Sequence, residues 1–216
     1  DLSLDLVRAV RDAVGNPVDI LIEGHCRFNP STAIEFACAM ADTRPMWFEE
    51  PVHHTNIGAM VEVARRSPVP IATGESLFNK QQFADLLKHD AVHILQPEPL
   101  NLGGLWATRK IADMVDAHFG MIAPHSAQGP VCSAACAHLN ASLPNFLIHE
   151  IFDEFNEPWE KEIVTGGVDV IDGYIEVPER PGLGIDLNIE EILKHPYQQE
   201  NAIPLFRKGW EKRQYK

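Results

Sequence analysis

The sequence predicts an α/β fold in which short parallel strands alternate with helices. Short apolar runs recur along the chain, amphipathic stretches separate them, and each run leads to a glutamate or a histidine. The intervals between these polar residues are 26, 26, 23, 27 and 25 residues. Strand–helix alternation is typical of a parallel sheet, and so regular a period fits the repeating unit of a (β/α) barrel of the TIM type.

Six strands are predicted, because each run is short and hydrophobic almost throughout, as strands buried on both faces are. They cover residues 18–22, 45–48, 69–72, 91–95, 120–123 and 146–148. Apolar stripes at helical spacing lie between them, at Val7, Val10 and Val14, at Ile57, Met60, Val61 and Ala64, and at Leu105, Ile111, Met114 and Val115. Ser31 and Asn79 are predicted to cap the helices that follow them.

The domain organisation follows from these units. No G-x-G-x-x-G or Walker sequence is present, which disfavours an open nucleotide-binding sheet. A TIM-type barrel has eight strand–helix units. We therefore expect that the two remaining units precede Asp1 or are absent from this chain. Residues 1–160 are expected to form the barrel portion. Residues 161–216, where Gly and Pro interrupt short strand-like pieces, are expected to pack outside it.

Composition argues against several classes of partner. Acidic residues outnumber basic ones 31 to 18, giving a formal net charge of −13, which disfavours nucleic acid or an anionic membrane. The sequence has no run of 18 apolar residues, so no membrane span is predicted. The four cysteines form no C-x-x-C pair, which indicates a reducing, cytoplasmic location. Cys132 and Cys136, four residues apart, are expected to pack on one helix face.

Carboxylates at the ends of three consecutive predicted strands are the strongest functional signal. Glu23, Glu49 and Glu75, hereafter the acidic cluster, are spaced 26 and 26 residues apart, and the C-terminal strand ends of a barrel share the face that carries active sites. Three converging carboxylates repel one another unless a cation lies between them. Oxygen donors favour a hard divalent ion, and Mg²⁺ keeps positions open for water and substrate. Of the adjacent Glu49 and Glu50, only one can face the site.

Four short motifs give this pattern a family resemblance. They are Trp47-Phe48-Glu49-Glu50-Pro51, Ile71-Ala72-Thr73-Gly74-Glu75, Gln96-Pro97-Glu98 followed by Gly103-Gly104, and Ala123-Pro124-His125. Together they resemble the enolase superfamily, in its mandelate racemase/muconate lactonizing enzyme-like branch with the acid-sugar (galactonate-type) dehydratases. The resemblance implies the C-terminal barrel portion, without the N-terminal units, the second-strand lysine motif and the capping domain that members carry.

The resemblance also implies roles for individual residues. The acidic cluster falls at the metal ligands of this family, and His125 falls at its general base. Glu98 falls at the acid that orients the base, Glu150 at a carboxylate that helps to stabilise the enolate, and His25 at the general acid of galactonate dehydratase-like members. The first metal position and the partner of the base are usually aspartate in the family, whereas here they are Glu23 and Glu98.

We therefore expect an Mg²⁺-dependent hydro-lyase that removes the proton next to a carboxylate of an acid sugar and eliminates the β-hydroxyl, giving a 2-keto-3-deoxy acid. Two alternatives stay open: a racemase or epimerase of a 2-hydroxy acid on the same scaffold, and a catalytically silent barrel subunit. His25 favours dehydration, because a hydroxyl leaves only with an acid's help. The expected partners are a small-molecule carboxylate substrate and, by resemblance, further copies in a homo-oligomer.

Overall fold

A five-stranded parallel sheet forms the centre of the protein. The computed structural model describes residues 2–198, apart from the side chain of Glu154. Every neighbouring pair of strands is parallel, and the strands follow chain order. They are β1 (Leu21–Glu23), β2 (Trp47–Glu49), β3 (Ile71–Thr73), β4 (Ile94–Leu95) and β5 (Met121–Ile122). The predicted α/β class with a parallel sheet is confirmed, and five of the six predicted strands are present.

The prediction of a sixth strand at residues 146–148 is wrong. Phe146 instead makes one isolated parallel bridge with Ile122, and the N–H of Leu147 donates to the carbonyl of Ile122 at 2.9 Å. On this side of β5 the next residue that could donate after Ile122 is Pro124, which has no N–H, so the ladder stops. Within residues 2–198 the strand pairs run from β1 to β5 without returning to β1, so closure into a barrel stays a prediction.

Helices flank the strands and supply most of the buried hydrophobic residues. They are α1 (Leu2–Val14), α2 (Pro30–Met40), α3 (Ile57–Arg66), α4 (Lys80–Lys88), α5 (Pro99–Leu102), α6 (Leu105–Ala117) and α7 (Pro130–Ala141). The cap predicted at Asn79 is confirmed, because its side chain and that of Gln82 form a capping box at the start of α4. The cap predicted at Ser31 is wrong. Asn29 makes the capping hydrogen bond of α2, since Pro30 occupies the first turn.

The two faces of the sheet bury different residues. Phe48, Ile71 and Leu95 are at most 1% exposed and belong to the main core with α3, α4 and α6. Full burial of each such side chain contributes about 1.5–3 kcal/mol. The opposite face carries a smaller cluster of Trp47, Ala72, Ile94 and Ala123. Since successive strand residues point to opposite faces, Glu49 shares this second face with Trp47.

Residues 161–198 leave the strand–helix alternation. β6 (Val164–Gly166) pairs antiparallel with β9 (Ile185–Leu187), β7 (Val170–Ile171) pairs antiparallel with β8 (Tyr174–Ile175), and α8 (Ile189–Ile192) follows. Within the described residues, none of these strands joins the central sheet. Residues 199–216, the rest of the predicted outer segment, lie outside the described residues, and the boundary at 160 stays a prediction. No helix in the described part of the chain is long and apolar enough to span a membrane.

Candidate active site

A cavity of about 820 Å³ lies at the carboxyl ends of the strands, the end where parallel α/β folds place their active sites. Six of the seven predicted site residues line it: Glu23, His25, Glu49, Glu75, His125 and Glu150. The seventh, Glu98, is fully buried and contacts His125 from behind. The structure therefore brings all the predicted residues to one end of the sheet.

The members of the acidic cluster come from three different strand ends. Glu23 ends β1, Glu49 ends β2 directly opposite it in the sheet register, and Glu75 lies two residues beyond β3. One carboxylate oxygen of each residue lies within 4.8 Å of those of the other two. Parallel pairing thus converts the regular spacing of the sequence into spatial proximity.

The charges of the acidic cluster are poorly compensated by the chain itself. Glu23 faces the open cavity, yet loss of solvent around its carboxyl, followed by the charge of Glu49, raises its pKa to about 9. Burial also raises the pKa of Glu75, although His125 opposes the shift. Trp47 Nε1 donates to Oε2 of Glu49 at 3.0 Å. An ionised Glu23 has no proton to donate to Glu49. The buried Oε1 of Glu49 then has no hydrogen-bond donor among the described residues.

A divalent cation fits this set of donors. An orphaned buried oxygen and raised carboxyl pKa values are what charges lacking a counter-ion produce. Donors that are all oxygen favour Mg²⁺ or Mn²⁺ over ions that prefer nitrogen or sulfur. Glu23, Glu49 and Glu75 would hold the ion, with its remaining positions open toward the cavity.

The adjacent glutamates at the end of β2 have opposite environments. Glu49 lines the cavity, whereas Glu50 is fully buried, as strand alternation predicts. Oε1 of Glu50 accepts hydrogen bonds from the hydroxyl of Thr73 and, at 3.0 Å, from the N–H of Gly74. Its Oε2 accepts one from the thiol of Cys26 at 2.7 Å. Glu50 is therefore separate from the acidic cluster.

His125 and Glu98 form an ion pair beside the acidic cluster. Nδ1 of His125 lies 2.8 Å from Oε2 of Glu98, and Nε2 lies 3.1 Å from Oε2 of Glu75. Burial alone would lower the pKa of His125, but the hydrogen bond with Glu98 and the charges of Glu150 and Glu75 raise it to about 9. Because Glu98 engages Nδ1, Nε2 is the nitrogen that faces the acidic cluster.

Glu98 is itself anchored by two further donors. Its Oε1 accepts a hydrogen bond from the N–H of Leu100 at 3.1 Å, at the start of α5, and the thiol of Cys132 donates to the same oxygen at 3.3 Å. Burial alone would raise the pKa of Glu98, but these hydrogen bonds and the one with His125 hold it below its usual value. The sequence predicted only packing for Cys132 and Cys136, whose sulfurs are 4.0 Å apart, and missed the contact with Glu98.

Residues beyond the isolated bridge complete the cavity wall. Burial, followed by the charge of Glu49, raises the pKa of Glu150 to about 7. His149 lines the same cavity, burial lowers its pKa to about 4, and neither ring nitrogen has a partner among the described residues. The strand pattern of the sequence predicts that His149 points away from Glu150, so it gave no sign of this residue in the site. This stretch is not a strand, so both residues reach the cavity.

The loop after β1 brings His25 to the cavity wall. His25 and Cys26 both have a left-handed backbone, with φ of 49° and 60°, a conformation that costs roughly 1 kcal/mol or more for each non-glycine residue. The N–H of His25 donates to a carboxylate oxygen of Glu23. The charge of His25 also acts to lower the pKa of Glu75. A second histidine thus borders the acidic cluster, from a different element than His125.

Fold and site together define a class: a parallel α/β protein in which a carboxylate cluster suited to a divalent cation lies beside a histidine–glutamate pair. The profile of the family described as "Enolase C-terminal domain-like" matches residues 1–192. The chain belongs to this family, and the resemblance read from the four motifs is confirmed.

Curated relatives of the chain are named as acid-sugar dehydratases. The chain is 33% identical over 201 residues to D-gluconate dehydratase of Thermoproteus tenax, a match that covers 93% of this chain and 40% of the relative. It is 34% identical over 183 residues to D-gluconate/D-galactonate dehydratase of Picrophilus torridus, covering 85% and 46%. The chain thus spans less than half the length of these relatives.

Solved structures give the same picture of the fold. A mandelate racemase/muconate lactonizing enzyme-like protein from Roseovarius sp. TM1035 superimposes with a TM-score of 0.86 at 40% identity, over 91% of this chain and 49% of that protein. A mandelate racemase/muconate lactonizing enzyme from Jannaschia sp. CCS1 gives a TM-score of 0.86 at 40% identity, over 92% and 50%.

Proposed function

We propose that this protein is an Mg²⁺-dependent dehydratase of an acid sugar. The observation that carries the proposal is that His125, paired with Glu98, faces the same cavity as the acidic cluster. The names of the relatives, which are dehydratases of D-gluconate, D-xylonate and D-galactonate, support the substrate class. The reaction would break the C–H bond next to the carboxylate and expel the β-hydroxyl as water, giving a 2-keto-3-deoxy acid.

His125 is the proposed base. A proton next to a carboxylate is very weakly acidic, so the nitrogen that accepts it must be basic and fixed in place. Glu98 fixes Nδ1 and thereby leaves Nε2 to accept the proton. With a pKa of about 9, His125 holds a proton at neutral pH and pairs through Nε2 with Glu75. This pair must open, and Nε2 must lose its proton, before Nε2 can accept one from the substrate. A divalent cation held by the acidic cluster supplies Lewis-acid stabilisation for the negative charge that develops on the substrate.

His25 is the proposed acid for the leaving hydroxyl. Hydroxide leaves poorly, and a positioned proton donor typically accelerates such a step by about 10²–10⁴-fold. His25 and His125 reach one cavity from β1 and from the end of β5, so a substrate bound between them meets a base and an acid on separate elements. An epimerase needs no such acid, so His25 favours dehydration.

Glu150 is proposed to stabilise the intermediate. Its pKa of about 7 leaves a substantial fraction of the carboxyl protonated at neutral pH. A protonated carboxyl in an apolar wall can donate a hydrogen bond to an enolate oxygen, as a carboxylate cannot. Glu150 lines the cavity together with His125, so it borders the space that the substrate would occupy.

The proposal is tested by incubating the protein with Mg²⁺ and, separately, D-gluconate, D-galactonate and D-xylonate, and following each reaction by proton NMR. Dehydration predicts a new methylene signal at C3 of a 2-keto-3-deoxy acid. Appearance of a diastereomer without that signal would assign an epimerase instead. Bound Mg²⁺ with no change in a wider panel of acid sugars would support the silent barrel subunit.

A further inference from the structure

A second group of metal-ligating side chains lies apart from the acidic cluster. Cys26, Glu50 and His54, hereafter the thiol cluster, each offer one ligand atom, and these atoms all lie within 4.8 Å of one another. The proposed reaction uses none of the three residues. We propose that the thiol cluster binds one Zn²⁺ ion.

The thiol and the carboxylate are already in contact. Sγ of Cys26 lies 2.7 Å from Oε2 of Glu50. The other oxygen of Glu50, Oε1, is held by Thr73 and Gly74. Oε2 can therefore exchange the thiol proton for a metal ion while Oε1 keeps both of its donors.

His54 supplies the nitrogen ligand. Its Nδ1 is buried and has no hydrogen-bond partner within residues 2–198. Burial, followed by the charge of His53, lowers the pKa of His54, which keeps the imidazole in the neutral form that binds metals. Burial, followed by the hydrogen bond with Glu50, raises the pKa of the Cys26 thiol, although the backbone N–H of His54 opposes the shift. A bound metal ion would deprotonate a coordinating thiol outright. A metal ion would give the orphaned Nδ1 a partner.

The donor types select zinc. One thiolate, one carboxylate and one neutral imidazole carry two negative charges, which a divalent ion neutralises. Sulfur and imidazole ligands are preferred by Zn²⁺, whereas Mg²⁺ prefers oxygen alone. Zinc bonds of about 2.0–2.3 Å place tetrahedral ligand atoms roughly 3.3–3.8 Å apart. The three atoms therefore need shifts of about 1 Å to reach that geometry.

The fourth position of a tetrahedral ion would face an adjacent cavity. This cavity, of about 420 Å³, is lined by residues of the loops after β1, β2 and β3, including Cys26 and His54. A site with three protein ligands and one open position binds a water molecule in that position. The ion would also tie the loop that carries His25 to the end of β2. Glu75 and His25 line this cavity as well as the active-site cavity, so the two proposed metal sites are neighbours. The inference does not depend on the proposed function, because none of its three ligands belongs to the acidic cluster.

Cobalt substitution provides the first test. Co²⁺ takes the ligands of Zn²⁺ and gives a thiolate-to-metal charge-transfer band only when a cysteine coordinates it. In excess Mg²⁺, we expect one equivalent of Co²⁺ per chain to produce this band, and Zn²⁺ to abolish it. The substitution Cys26→Ser, which keeps a donor to Glu50, removes the band, whereas Cys38→Ser, at an exposed cysteine on α2, retains it. A band that survives Cys26→Ser, or no band in the parent protein, overturns the proposal.

Two further measurements make the test independent of how the variants fold. Zn²⁺ is expected to protect Cys26 of the parent protein from alkylation, read by mass spectrometry, while labelling of Cys38 stays unchanged. Removal of the nitrogen ligand by His54→Ala is expected to abolish the cobalt band, whereas His118→Ala, at an exposed histidine at the end of α6, retains it. Equal labelling of Cys26 with and without Zn²⁺, or loss of the band in His118→Ala alone, contradicts the assignment.

Discussion

At the carboxyl end of the sheet, buried carboxylates in two neighbouring regions have pKa values shifted in opposite directions. At β1 to β3, the acidic cluster gathers three carboxylates, and the pKa of Glu23 is raised to about 9. At β4 and β5, Glu98 receives hydrogen bonds from Leu100, Cys132 and His125, and its pKa is lowered. Glu98 is thus satisfied by donors within the chain, whereas the acidic cluster sets His125 against three carboxylates. Buried polar groups are normally satisfied, so the difference indicates where a group from outside the chain is needed.

The largest expected effect is at His125, the histidine that Glu98 orients. The substitution His125→Asn removes the proposed base, and we expect turnover and exchange of the substrate α-proton in deuterated water to fall by about 10²–10⁴-fold. His118→Asn, at an exposed position on α6's C-terminal end, serves as the matched control. Exchange at the parent rate in His125→Asn would remove the base from the account.

The protein is expected to gain stability when Mg²⁺ binds the acidic cluster. Mass action gives about 2.7 kcal/mol at a concentration 100 times the dissociation constant, which corresponds to a rise in Tm of roughly 5–10 °C for a chain of this size. Glu49→Gln should abolish the rise, because it removes the charge of the carboxylate that carries the orphaned oxygen. Glu62→Gln, at an exposed position of α3, should keep the Mg²⁺-dependent rise in Tm. An undiminished Mg²⁺ shift in Glu49→Gln would show that the ion binds elsewhere.

A smaller effect is expected where Glu50 is satisfied without a metal. Thr73→Val removes the hydroxyl that donates to Glu50 while conserving volume, and we expect a loss of about 1–3 kcal/mol in the free energy of unfolding. Thr165→Val, at an exposed threonine of β6, should change it by less than about 0.5 kcal/mol. Urea denaturation of both variants provides the comparison, and equal losses would contradict the role of Thr73.

The protonation of His125 sharpens the contrast between the two regions. In the cation-free protein we expect NMR titration to give a pKa of about 9. Since this exceeds the usual 6.5, His125 contributes stability that is fully present below pH 6.5 and is lost as the pH rises through about 9. Mg²⁺ should lower this pKa by neutralising Glu75, and Glu98→Gln should lower it by removing the hydrogen-bonded charge. A pKa that neither change moves would contradict the electrostatic account.

Much of the fold could be predicted because buried parallel strands and their spacing leave a strong pattern. Five runs became strands in the predicted order. The strand predicted at 146–148 was wrong, because Pro124 has no N–H with which to continue the ladder beyond the bridge at Phe146. The cap predicted at Ser31 was wrong, because Pro30 occupies the first turn of α2 and the capping residue is therefore Asn29.

The candidate site was predictable where residues follow the strand period and not where they depend on packing between distant elements. The acidic cluster follows directly from strand ends in register. The contact of Cys132 with Glu98 joins residues 34 positions apart, and the link between Cys26 and Glu50 joins residues 24 apart. No local pattern encodes such pairs, since only the packing of the loops and of α7 against the sheet creates them.

The central claim is that Glu23, Glu49 and Glu75 hold one divalent cation beside His125. Anomalous diffraction from crystals of the protein soaked in Mn²⁺ tests it most directly. We predict one strong peak within bonding distance of all three carboxylates. The account would be contradicted if the three side chains pointed away from one another and manganese bound elsewhere or did not bind.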